Sequence, residues 1–432
     1  MADIEQASAP SRDLARCPLH EINPLDPELN QSPHAYFRRL RDEAPVFRDA
    51  MIGIVHVSRY DDILEVLRQP LLFSSEWGGV GGQNLGTELL PEEIELMAST
   101  QSQKPTLLTC DPPAHNRYKK LAIKAFTHRR VEEMASYVEE VVNQLIDDLP
   151  AGGCEFKAAF ADKLPSIIIA DTVGVDRGML PTWHLWLTNA VRRFDLHRLS
   201  RNERIESARL ARDLSGFMLT QIQDRRRNPG SDMLSELIGA TLMEDGDPRP
   251  LDDAELMSMF AQIFVAGQET SAHSLTAGLY YLITNPEQMD RLRDNPDLIG
   301  NFVEETLRFL TPVNNMFRKA AQDTVLGGVE IKAGELLMLK YGSANHDERH
   351  FEDSERFDIE RANARDHLAF GMGIHHCLGA ELARKELTTA FRVILSRLLN
   401  IRLAEGADTI RYLPNHLLRG VAELKIEFNR VA

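Results

Sequence analysis

"FGMGIHHCLG" occupies residues 370–379, and its three glycines, two histidines and single cysteine run straight into an amphipathic segment, "AELARKELTTAFRVILSRLL". The other cysteines, Cys17, Cys110 and Cys154, are remote in sequence. At the mouth of a helix, backbone N–H groups and the helix dipole favour a thiolate, the form that attacks electrophiles and binds metals. Glycines at 371, 373 and 379 let the backbone wrap closely round a sulfur and leave room for a large flat partner. Four readings compete. Cys377 could be an ordinary buried cysteine. It could be a nucleophile, for which His375 and His376 are awkward bases because they are so near in sequence. It could bind zinc, but no second cluster has ligand spacing. A single thiolate on a haem iron needs one cysteine, which is what the chain supplies.

The surrounding sequence sets the frame. The chain has 432 residues, 43% of them hydrophobic, enough to bury a large core. Four scattered cysteines make no CxxC pair and no disulfide framework, and the N-terminus has no apolar signal region. No stretch approaches the ~18 apolar residues of a membrane span. A soluble, cytoplasmic, monomeric protein is expected. The formal net charge of −16 argues against nucleic acid or anionic membrane as a partner. One island runs the other way: "NRYKKLAIKAFTHRR", residues 116–130, carries Arg117, Lys119, Lys120, Lys124, Arg129 and Arg130 and no acid. It is either a solvated helix face or a docking surface.

Helical periodicity dominates, with short strand patterns at "VFRDAMIGIVHVS" and across residues 317–339. The first 25 residues are polar and Pro-rich and predict a loose arm before one domain spanning residues 26–432. Residues 74–109 predict a long irregular segment. Residues 252–284 predict the longest helix, ~50 Å at ~1.5 Å per residue, with acids in its first turn. Little of the chain suits a parallel sheet. "GGVGGQNLG" fails as a dinucleotide fingerprint, because Asn84 stands where the third glycine belongs. The expected fold is mainly α with small β-sheets.

The cysteine stretch also resembles, position by position, the haem-binding signature of the cytochrome P-450 superfamily, through Phe370, Gly371, Gly373, His375, Cys377 and Gly379. "EETLR" matches the Glu-x-x-Arg pair with Glu305 and Arg308, and "ERF" offers Arg356 as third partner, although Ser354 stands where the family often has Pro. "AGQET" matches the oxygen-activation motif with Glu269 and Thr270, and "DPPAH" opens the basic helix. The motifs come in the family's order, over a span from about Asn23 to the C-terminus.

That resemblance implies a triangular prism of about a dozen helices around haem b, with Cys377 as axial ligand. It implies His115, Lys119, Arg318 and His375 as partners of the haem propionates, Lys119 standing where the family usually has Arg. Glu305, Arg308 and Arg356 would fix the backbone behind the cysteine loop. Glu269 would relay protons, and Thr270 would loosen the helix to hold dioxygen and water. The implied reaction is hydroxylation of a hydrophobic small molecule with dioxygen. Electrons would come from a [2Fe–2S] ferredoxin and a flavin-dependent ferredoxin reductase, so that NAD(P)H acts only indirectly. Rival readings are a haem-thiolate peroxygenase or isomerase, and a haem sensor or carrier. The resemblance lines the pocket with Trp77, Gln262, Val265, Ala266, Val313, Asn314, Leu417 and Leu418. Gln262 and Asn314 could anchor a substrate oxygen. A terpenoid or steroid is the favoured substrate.

Overall fold

The computed structural model describes residues 17–77, 87–98, 104–123, 128–244, 247–405 and 410–431. Among them are sixteen α-helices and four small sheets. The mainly α expectation holds.

The Asp253–Thr284 helix runs through the middle of the molecule. Asp252 caps it: its carboxylate accepts the Glu255 N–H at 2.9 Å, and Glu255 accepts the Asp252 N–H at 2.8 Å. The helix is buried on most of its circumference, so its sequence is apolar all round rather than striped. It packs against Lys163–Val173, Ile299–Leu310 and the cysteine helix, Ala380–Arg397. Gly278 permits that last contact, because a Cβ there would lie 2.7 Å from the Phe391 ring.

The largest sheet orders its strands Val46–Asp49, Ile54–Val57, Leu336–Leu339, Met316–Ala320 and Phe73–Ser74. The first two form the expected hairpin, with Val46 opposite Val57. One pair is parallel, Leu337 opposite Val55, which local periodicity does not reveal because the partners are almost 300 residues apart in the chain. Leu337 also pairs with Arg318, so this sheet carries one of the expected cofactor residues into the interior.

Two local expectations need correcting. The segment expected to be irregular contains the Pro91–Ala98 helix and the Leu107–Thr109 turn. Glu93 in that helix is buried, and it pairs with Arg204 and accepts the Leu90 N–H at 2.8 Å. The last residues of the expected loose arm are tied down. Leu19 and Ile22 are buried with Leu29, Tyr36 and Phe37, and Arg39 donates to the Cys17 carbonyl.

Candidate active site

The cysteine loop is pinned at both ends. The Cys377 N–H donates to the Phe370 carbonyl at 2.9 Å, and Gly379 caps the helix that follows. Gly371 and Gly373 have φ of +62° and +72°, and a Cβ at Gly373 would lie 2.9 Å from the Leu67 carbonyl oxygen. Glycine is therefore required at 373 by both conformation and space. Protein surrounds the Cys377 sulfur deeply enough that desolvation pushes its pKa up, against the pull of the Gly379 N–H and Arg384. The side chain is nevertheless exposed. The expected help from the helix end is present, but burial outweighs it.

Beside the loop lies a knot of basic groups. The His115 and His375 rings are 4.3 Å apart, and the Lys119 ammonium donates to the Ile374 carbonyl at 2.6 Å. Arg318 is 3% exposed and donates only to its neighbour's carbonyl, that of Phe317. Burial lowers the pKa of all four groups, and for His115 and His375 the neighbouring cations lower it further, His375 to about 3. Among the described residues no carboxylate comes within 4 Å of any of them. Asp111 attracts Arg318 and His115 from farther off, and is engaged by the Ser75 N–H at 2.8 Å. Ser75 also holds His375 Nε2 at 2.9 Å. Two cations and two imidazoles with no carboxylate within 4 Å are the complement of a ligand that brings its own carboxylates.

The Glu-x-x-Arg pair is fully buried. Arg308 grips Glu305 with two bonds of 2.7 and 2.8 Å and donates to the carbonyls of Asn345 and Ser354. The third partner is Arg361, not Arg356. Arg361 Nε sits 3.2 Å from both Glu305 oxygens, whereas the Arg356 side chain is 67% exposed and reaches only Asp358, at 4.0 Å. Arg356 contributes its backbone carbonyl, which accepts from Arg361 at 2.9 Å. Sequence inspection also missed Glu304. It takes Arg384 at 2.7 Å and His367 at 3.0 Å, and these bonds overcome burial to hold it at about 2. Arg384 in turn lies 4.7 Å over the Phe370 ring, tying this helix to the cysteine loop.

On the long helix, Thr270 takes the ordinary back-bond, its hydroxyl donating to the Ala266 carbonyl at 2.9 Å. The helix continues unbroken through this turn. Glu269 is 6% exposed, and burial raises its pKa. Its carboxylate is 3.4 Å from His273 Nε2, a ring that fits because residue 420 is glycine: a Cβ there would lie 2.2 Å from it. Ala266 is exposed although the helix around it is buried.

The expected pocket residues fall into two groups. Trp77 and Leu417 join Ile54, Phe317 and Met338 in one buried cluster, with Leu418 against it and Val313 bridged to Leu418. Asn314 hangs on the same turn through its N–H to the Leu417 carbonyl, 2.8 Å. Val265 packs into a separate cluster, and Gln262 is not available as an anchor. Its amide donates to Thr106 Oγ1 at 3.0 Å and accepts the Leu108 N–H at 3.0 Å, so the Thr106–Thr109 turn uses both ends. The basic face also shrinks. Arg117 is half-buried in a 2.8 Å salt bridge to Glu255, Arg129 is exposed and pairs with Glu133, and Lys120 is exposed. Lys124, the side chain of Arg130 and the "GGVGGQNLG" stretch lie outside the described residues.

Comparison with known proteins bears on this geometry. The sequence model of the cytochrome P450 family matches residues 179–403. Cytochrome P450 107B1 of Saccharopolyspora erythraea is 33% identical over 408 residues, covering 93% of this chain and 96% of that protein. The chain belongs to the cytochrome P450 family. A Mycobacterium tuberculosis steroid C26-monooxygenase is 32% identical over 91% of this chain and 93% of its own length. Among solved structures, cytochrome P450 CREJ in complex with (4-ethylphenyl) dihydrogen phosphate superposes with a TM-score of 0.86 at 29% identity, covering 95% of this chain and all of that one. The protein is therefore a P450 monooxygenase with haem b as its cofactor. The residues fit that group: a lone exposed thiol at the head of a helix, and beside it Lys119, Arg318 and two imidazoles with no carboxylate within 4 Å among the described residues. No group of three or more metal-ligating side chains competes for a metal among the described residues. No described helix is long and apolar enough to cross a membrane.

Proposed function

We propose that this P450 hydroxylates a hydrophobic alicyclic molecule, a terpenoid or a steroid, with electrons from a [2Fe–2S] ferredoxin and its flavin-dependent, NAD(P)H-oxidising reductase. It acts in the cytoplasm as a monomer, with residues 26–432 as one catalytic domain. Cys377 would hold the iron, with Phe370, Gly371 and Gly379 shaping the loop. His115, Lys119, Arg318 and His375 would hold the propionates. Bound there, haem supplies the reductive activation of dioxygen from which one oxygen atom enters the substrate.

The observation that carries the reading is the acid–alcohol pair. Glu269 is buried, and burial raises its pKa, which favours the protonated form that can hand on a proton. The Thr270 hydroxyl spends its hydrogen on Ala266, which leaves its oxygen lone pairs for a water. A peroxygenase needs no such delivery. Thr270→Ala is expected to bind substrate normally while NADH is consumed with little product, and Glu269→Gln to slow turnover by roughly 100-fold. The assay compares product formed with NADH and redox partners against product formed with hydrogen peroxide alone. Unchanged coupling in Thr270→Ala, or peroxide as the better oxidant, would refute the assignment.

The choice of ferredoxin rests on the basic helix. A cationic patch on a chain of net charge −16 steers an acidic partner, an effect that weakens with salt. Lys120→Glu should raise the KM for ferredoxin severalfold at low ionic strength and leave the KM for substrate unchanged. Arg117, spent on Glu255, should not take part in that response.

A further inference from the structure

The Leu336–Leu339 strand is followed by a lysine that is 3% exposed. Its ammonium has no carboxylate within 4 Å among the described residues, and the one acceptor bonded to it is the Met338 thioether, at 3.6 Å. A thioether is a weak acceptor. The Tyr36 and Phe37 rings lie 5.5 and 5.8 Å away, which softens the burial of the charge without pairing it. Asp49 attracts the ammonium from beyond ion-pair range; its Oδ1 accepts the Met51 N–H at 2.8 Å, while its Oδ2 lies 3.4 Å from His56 Nε2 without a hydrogen bond.

Lys340 lines a cavity of about 30 Å³, and two more polar groups without partners line it too. The Tyr36 hydroxyl is buried and makes no hydrogen bond; the Asn314 side-chain oxygen makes none either, but it is an acceptor. An ammonium and a phenol can both donate. The space suits two oxygens, since a single water needs about 10–15 Å³. Exposed Arg198 adds a second cation to the lining, which also carries two carboxylates: Asp195, engaged by His416 at 2.7 Å, and exposed Asp26, which accepts the Glu28 N–H at 2.9 Å.

The cavity adjoins the apolar wall of the proposed pocket. Met338 and Lys340 lie on the same side of their strand, as their contact shows, and Met338 packs with Phe317, Trp77 and Leu417. Asn314 is tied by its backbone to Leu417.

We propose that Lys340 and Tyr36 form a carboxylate-binding site, so that the substrate is a hydrophobic acid anchored by its carboxylate at this end of the pocket. The inference rests on the monooxygenase reading and adds the substrate's polar handle. Burial lowers the Lys340 pKa to about 7, with Asp49 attracting it only from a distance, and a substrate carboxylate beside it would favour the charged form.

Binding is measured by calorimetry on the haem-loaded enzyme. The probes are dehydroabietate, cholate and dodecanoate, each beside its methyl ester, with acetate as the free small anion. At least one acid should bind about tenfold or more tighter than its ester. Lys340→Met, which keeps the stem volume, should remove that preference and leave ester affinity unchanged. Lys340→Arg should retain part of it. Tyr36→Phe should weaken the acid alone. The proposal is overturned if every acid binds no better than its ester, if the preference survives Lys340→Met, or if acetate binds as tightly as the acids. Calorimetric heats do not depend on turnover, and product formation with NADH is scored separately, so failure of the anchor and failure of the monooxygenase reading are distinguishable.

Discussion

Cys377→Ser is expected to abolish the red-shifted Soret band of the reduced, carbon monoxide-bound protein, while replacement of Cys17, Cys110 or Cys154 leaves it in place. The four thiols differ in what stands in front of them. Burial pushes Cys110 up to about 12 and Cys154 up to about 11, and each packs with a hydrophobic cluster, which marks them as inert core residues. Cys17 sits at the start of the described chain against the Leu19–Phe37 side chains. Cys377 alone combines a deeply desolvated sulfur with an exposed side chain, a backbone N–H donor from Gly379 and the knot of basic groups nearby. Serine keeps the size and the backbone hydrogen bonds of the loop, so its effect isolates the sulfur. An alkoxide is far harder to form than a thiolate and does not donate electron density in the same way, so the band should vanish even where haem is retained. Absorbance difference spectra of the four single variants decide the matter, and a full band in Cys377→Ser would refute the ligand assignment.

What the sequence made legible was local. The capping box ahead of residue 253 and the helical run behind it are set by neighbours in the chain, and the helix forms where expected. The cysteine loop is likewise dense in residues whose conformation glycine dictates. The misread residues all have side chains whose fate is decided by a distant segment. Gln262 looks like a polar anchor on an apolar helix until the Thr106–Thr109 turn, some 150 positions earlier, takes both ends of its amide. Arg117 belongs to a run of cations by sequence and to Glu255 in space. In each case local pattern gives the backbone correctly, while the partner comes from long-range packing that periodicity does not encode.

Arg361→Leu is expected to destabilise the protein by about 3 kcal/mol and to weaken haem retention, whereas Arg356→Ala should change stability by no more than about 0.5 kcal/mol. Both arginines lie in the same irregular loop, five positions apart, and no sequence feature says which guanidinium turns inward. The structure separates them. Arg361 is 8% exposed and shares Glu305 with Arg308, and it also donates to the carbonyls of Glu352, Asp353 and Arg356. Removing it strips one of two cations from a fully buried carboxylate and leaves three carbonyls short of a donor. The loss is not larger because Arg308 still holds Glu305 bidentately and the Asp358 N–H still donates to it at 3.0 Å. Arg308→Leu, which removes the bidentate partner, should therefore cost more than Arg361→Leu. Arg356 offers only a backbone carbonyl to this network, and alanine supplies the same carbonyl. Thermal unfolding of the three variants, with haem absorbance followed through the transition, tests the order Arg308→Leu, Arg361→Leu, Arg356→Ala from most to least damaging. Should Arg356→Ala prove as harmful as Arg361→Leu, the exposed guanidinium would have to be doing something that its single 4.0 Å contact with Asp358 does not explain.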